Sequence, residues 1–120
     1  MAGTVTTTEE PYGSVKKISF DWLSSAGGAA DATTTGYYSG VISRVVTIPD
    51  SGGTQPTDNY DLVLNDDDSV DLLDGQGANR DNTNTEQLLT GLGVMANAKI
   101  TLGITNAGNA KGGQTIVYIT

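Results

Sequence analysis

Tyr60-Asp61-Leu62-Val63-Leu64-Asn65-Asp66-Asp67-Asp68-Ser69-Val70-Asp71-Leu72-Leu73 is the stretch that decides the fold class. Two short apolar-alternating runs flank five polar residues whose Asp and Asn side chains supply turn chemistry, so the segment reads as a β-hairpin. Pairing Leu64 with Val70 sets Leu62 opposite Leu72. One face then carries Tyr60, Leu62 and Leu64 against Val70 and Leu72.

Upstream, residues 41–48 (Val-Ile-Ser-Arg-Val-Val-Thr-Ile) form the most β-branched run in the chain and stop at Pro49, which cannot donate to a sheet ladder. Ile18, Phe20 and Trp22 alternate with Lys17, Ser19 and Asp21, which predicts a half-buried strand with Phe20 and Trp22 in the core. Downstream, residues 99–105 and 114–119, joined by a Gly/Asn turn, read as a C-terminal hairpin. Ile100, Leu102 and Ile104 form one face, met by Ile116 with Tyr118 or by Val117 with Ile119. Thr83 and Glu86 have capping-box spacing and predict a helical turn that Gly91 and Gly93 keep short. Residues 24–36, 50–58 and 74–82 read as loops. The expected architecture is all-β, a small β-sandwich or β-barrel of about six to eight mostly antiparallel strands. Residues 1–14, Thr-rich and polar with Pro11 and Gly13, read as an extended N-terminal arm, and 15–120 as a single β domain.

At 120 residues and 12.4 kDa the chain suits one core. A net charge of −8 with only six basic residues argues against nucleic acid and anionic membranes, since both are bound through clustered Lys and Arg. No His and no Cys are present, which removes disulfides, thiolate and imidazole metal sites and the usual general base. No cofactor is expected, and carboxylates are left as the acid/base pair a glycosidase would use. A chain this short has little room for both a core and a cleft, so the expectation is that it is not an enzyme. The first residues hold neither a basic nor an apolar run, and no run approaches a membrane span, so no signal peptide is expected and synthesis is cytoplasmic.

Three groups of residues are candidates for binding. Asp66, Asp68 and Asp71 converge on one turn as a Ca²⁺ site would, yet Val70 falls where a ligand is needed and no Glu closes the loop; a solvated hairpin turn is the competing reading. The arm residues Thr6, Thr7, Thr8, Glu9, Glu10 and Tyr12 are candidates for contact with a partner or another subunit. Tyr37 and Tyr38, between a loop and a strand, are candidates for protein contact or sugar stacking. Gly75-Gln76-Gly77 lacks the continuation of a nucleotide-binding loop.

The pattern of residues 15–120 resembles small virion structural proteins of tailed bacteriophages, among them capsid decoration (cement) proteins. Lys17-Ile18-Ser19-Phe20-Asp21-Trp22, the Tyr60–Leu73 stretch followed by Gly75-Gln76-Gly77-Ala78-Asn79-Arg80, and the terminal strand pair around Asn106-Ala107-Gly108 and Gly112 carry the resemblance. It implies a protein made in the host cytoplasm that sits on the outer capsid surface of the virion as a homo-oligomer, a trimer being favoured. There it would bind and stabilise the major capsid protein, often through an N-terminal arm; here Thr4 to Tyr12 match such an arm by position only. A tail, neck or baseplate component is the alternative within a virion, and a carbohydrate-binding module using Tyr37 and Tyr38 the alternative outside one. An acidic, soluble β-domain suits a coat subunit whose many copies must stay apart until they meet the shell, and multiplicity can replace one large interface.

Overall fold

Period-two alternation turns apolar residues inward on each long strand. In β2 (Val15–Leu23) Ile18, Phe20 and Trp22 are buried while Asp21 and Leu23 face solvent. In β9 (Gly112–Ile119) Thr115, Val117 and Ile119 are buried, which selects Val117 with Ile119 as the inward pair of that strand. The structure, a computed structural model, describes residues 3–120. The other strands are β1 (Thr4–Tyr12), β3 (Ala30–Thr33), β4 (Tyr38–Pro49), β5 (Asp61–Asn65), β6 (Glu86–Leu88), β7 (Val94–Ala98) and β8 (Thr101–Thr105).

Two antiparallel sheets face each other. The larger runs β1-β2-β9-β4, and β6 and β7 share the outer edge of β4 as two pieces; the smaller runs β3-β8-β5. Neither sheet closes on itself, so the fold is a sandwich rather than a barrel. Between them lie Ile18, Phe20, Trp22, Val45, Val117 and Ile119 from the large sheet and Ala30, Leu62, Leu64, Leu102 and Ile104 from the small one. Trp22 and Tyr60 pack tilted at 52°, centroids 5.4 Å apart. Burial pushes the Tyr60 phenol up to about 12, against the opposing influence of the Thr47 hydroxyl and the Arg80 charge.

All-β character and the sandwich follow the sequence expectation, with four differences of detail. Nine strands form among the described residues rather than six to eight, because β3 and β6, of four and three residues, arise inside segments that read as a loop and a helical turn, and β7, of five residues, arises in a stretch without apolar alternation. The helical turn gives way to β6 because Glu86 is engaged elsewhere: its Oε1 lies 3.5 Å from Arg80 Nη1 and accepts from Asp81 N at 2.9 Å. Val70–Leu73 is not a strand; an isolated bridge joins Asn65 to Asp71, and Leu72 N donates to Leu64 O at 2.7 Å. That register lies two residues from the expected one and leaves Val70 58% exposed, because the Asp66 and Asp71 carboxylates hold the turn in its own shape. Finally, β8 and β9 do not pair. Each carries an apolar face, but the faces belong to opposite sheets, so the Asn106–Gly112 segment crosses the sandwich instead of closing a hairpin.

Residues 4–12, read from sequence as an arm, are β1, paired with β2 over the full register from Thr4↔Leu23 to Tyr12↔Val15. Gly13 takes φ +60 at the first of the two turn residues while Ser14 stays at negative φ, the Gly-first pattern of a II′ hairpin turn. Polarity and Pro11 conceal the strand in the sequence, but a Pro is tolerated on an edge strand and β1 is the edge.

Candidate contact surface

The alternation of β1 sorts the arm candidates into two sets. Thr4, Thr6 and Thr8 are exposed on the outer face, while Val5, Thr7 and Glu9 stand opposite the buried Trp22, Phe20 and Ile18 and face inward. Val5 packs on the core. Four residues on, the inward position is taken by a carboxylate, and the chain folds a cradle for it. Glu9 Oε2 accepts from Thr35 N at 2.9 Å and Thr35 Oγ1 at 2.8 Å, and Oε1 from Gly36 N at 3.0 Å and Tyr38 OH at 2.6 Å.

Burial raises the Glu9 pKa, but the bonds from Tyr38, Thr35 and Gly36 together outweigh it and hold the carboxyl below its ordinary value. Burial, then the Glu9 hydrogen bond and charge, push Tyr38 well above the usual phenol range. At the other end of β1, Gly3 N donates to Ala29 O at 3.0 Å. The strand is thereby fastened at both ends to the segment that carries β3. Its backbone edge away from β2 has no strand partner among the described residues.

On the outer face Glu10 stands opposite Lys17 and accepts from Tyr12 OH at 2.8 Å. That bond and the Glu10 charge raise the Tyr12 pKa. Tyr12 is 59% exposed at the hairpin tip. The tyrosine pair splits: Tyr38 turns in to Glu9, whereas Tyr37 stays 60% exposed with Lys99 Nζ 5.2 Å from its ring centroid. A two-ring stacking platform for a sugar is not assembled, because one ring is committed inward.

The acidic turn spends its carboxylates on the backbone. Asp66 Oδ1 accepts from Asp68 N at 2.9 Å and Val70 N at 3.1 Å. Asp71 takes Leu64 N, Leu73 N and Gly75 N at 3.2, 3.0 and 2.9 Å. Asp67 takes Lys99 N at 3.1 Å. Asp66, Asp68 and Asp71 are therefore not converged on a common point, and no group of three or more potential metal ligands occurs among the described residues. The described residues that line a hollow of about 380 Å³, Gly3, Thr4, Leu23 and Ser24–Gly27, carry no acidic or basic side chain.

Sequence reasoning did not single out the outer face of the large sheet. Register places Glu10, Lys17, Tyr118 and Arg44 in one row across four strands, and Thr8, Ser19, Ile116, Val46 and Gln87 in the next. The Arg44 guanidinium lies 5.4 Å from the Tyr118 ring centroid and donates from Nε to Gln87 Oε1 at 2.9 Å. Alternation marks most of these residues as outward, Val46 excepted, which lies in the buried run Val45–Thr47 and is itself only 6% exposed, but which of them become neighbours depends on a strand order that spacing does not reveal. No protein-family model matches the chain, and a search of curated proteins finds no match.

Proposed function

We propose that this chain is a virion structural protein of a tailed bacteriophage that decorates the capsid, binding the major capsid protein on the outer surface as a homo-oligomer. The observation that carries the reading is the unpaired outer edge of β1, nine residues long and fastened at both ends, with exposed Tyr12 and Tyr37 nearby. A rigid free edge offers an extended partner segment a ladder of backbone donors and acceptors. The sequence resemblance supplies the partner: the major capsid protein of a phage head. Its acidic charge of −8 favours dispersal before assembly.

The test is to add the purified protein to undecorated heads. Saturable binding with a gain in thermal resistance of the heads is expected, and Thr7→Pro, which puts a ring in the middle of β1, should weaken it at least tenfold. No association with heads, or capture by isolated tails in their place, overturns the reading.

A further inference from the structure

The outward residues of β2 form a palindrome in chemistry: Val15, Lys17, Ser19, Asp21, Leu23, that is apolar, basic, polar, acidic, apolar. The neighbouring strands share its centre. Ile116 of β9 stands opposite Ser19 and Val46 of β4 stands opposite Ile116, so one row of the sheet runs Ser19, Ile116, Val46. Reversing the strand direction about that row exchanges Lys17 with Asp21 and leaves the apolar pair in place.

We propose that this face is an isologous two-fold contact with a second copy of the chain. The axis lies parallel to the sheet, outside its outer face, and runs across the strands over the Ser19–Ile116–Val46 row. Lys17 of each copy then meets Asp21 of the other, and Ile116 meets its own counterpart on the axis. The paired charges lie two residues from the axis, roughly 7 Å along the strand, so the ~30° crossing of aligned sheets displaces them by less than a lysine side chain reaches.

Charge singles out this surface for self-association. The molecule carries −8, yet on this face the carboxylates Glu10 and Asp21 are matched in number by the cations Lys17 and Arg44, so the net repulsion between two copies is small here. The four long strands β1, β2, β9 and β4 present roughly 600 Å² a side, the lower end of what specific interfaces bury per partner. The complementary exchange belongs to β2, while on the flanking strands Thr6, Gln114 and Ile48 of one copy come opposite Glu10, Tyr118 and Arg44 of the other. A two-fold contact closes as a dimer and departs from the trimer that the resemblance implies. It deepens the oligomeric part of the proposed function and is independent of the capsid part, which head binding tests separately.

Sedimentation equilibrium of the full chain is expected to give twice 12.4 kDa with reversible dissociation on dilution. Lys17→Asp and Asp21→Lys, each placing like charges against each other twice, should weaken the dimer at least tenfold, and the charge-swapped double variant should restore it. Because the chain has no Cys, Ser19→Cys also reports the axis: a short bis-maleimide should join two copies through it, whereas Asn109→Cys in a distant turn should not cross-link. A wild-type monomer or trimer, single variants that remain dimeric, or a double variant that stays dissociated overturns the proposal.

Discussion

Glu9 contributes to stability through its charge. Its folded pKa lies below the ordinary carboxyl value, so its contribution is complete above the unfolded value of about 4.3 and is lost as pH falls through the lower folded value. Glu9→Gln replaces two acceptor oxygens that take four donors with one oxygen and one amide, and at pH 7 should cost about 1–2 kcal/mol, the discount for partial exposure included. Urea midpoints should show wild type and variant converging below about pH 4; a constant gap across the acid range would rule out the charge as the cause. Deeper in, the Thr115 hydroxyl is buried on the inner face and meets no hydrogen-bond geometry. Thr115→Val removes one buried polar group at little change of shape, so the variant should be at least as stable as wild type, with a gain of up to about 1 kcal/mol. A loss of that size in thermal denaturation would mean the hydroxyl is satisfied. None of this is legible in the sequence, where Glu9 sits 26 to 29 residues from the groups that bind it and nothing in its local spacing announces them.

Strands were legible wherever apolar alternation was strong. Ile18-Phe20-Trp22 and Ile100-Leu102-Ile104 show their inward faces directly, and the buried positions agree. Pairing was not legible, because alternation fixes which side of a strand is apolar and says nothing about which sheet that side belongs to; hence β8 and β9 read as a hairpin although they sit in opposite sheets. β1 escaped for the converse reason: at the edge of a sheet one apolar side chain, Val5, suffices. The close approach at β9 gives an element-level prediction. A Cβ on Gly113 would lie 2.8 Å from Trp22 Cζ2 and 3.0 Å from Ile48 O, between a ring and a backbone that cannot both yield. Gly113→Val should destabilise by about 1–3 kcal/mol and shift the emission of the sole tryptophan, whose ring must tilt. Unchanged emission would mean that Trp22 does not rest on Gly113.

At the scale of the molecule, all-β class was legible from the β-branched runs and the turn residues between them, while the choice of an open sandwich over a barrel depends on long-range pairings that the apolar pattern does not specify. The large sheet is organised around β9, which lies between β2 and β4. Without β9 its two flanks, β1–β2 on one side and β4 with β6 and β7 on the other, share no ladder. A chain lacking residues 112–120 should therefore lose its β circular dichroism and its cooperative melt; a truncated chain that still melts cooperatively would show the flanks to be self-sufficient. In time, the arrangement runs against the direction of synthesis. A ribosome makes both flanks before it makes the strand that joins them, so until Gly112–Ile119 emerges the growing chain holds the edges of β2 and β4 open, and closure then proceeds at the millisecond-to-second pace of non-local β pairing. The rate at which Gly112–Ile119 finds its slot, more than the depth of the final well, then governs how much of each batch escapes aggregation.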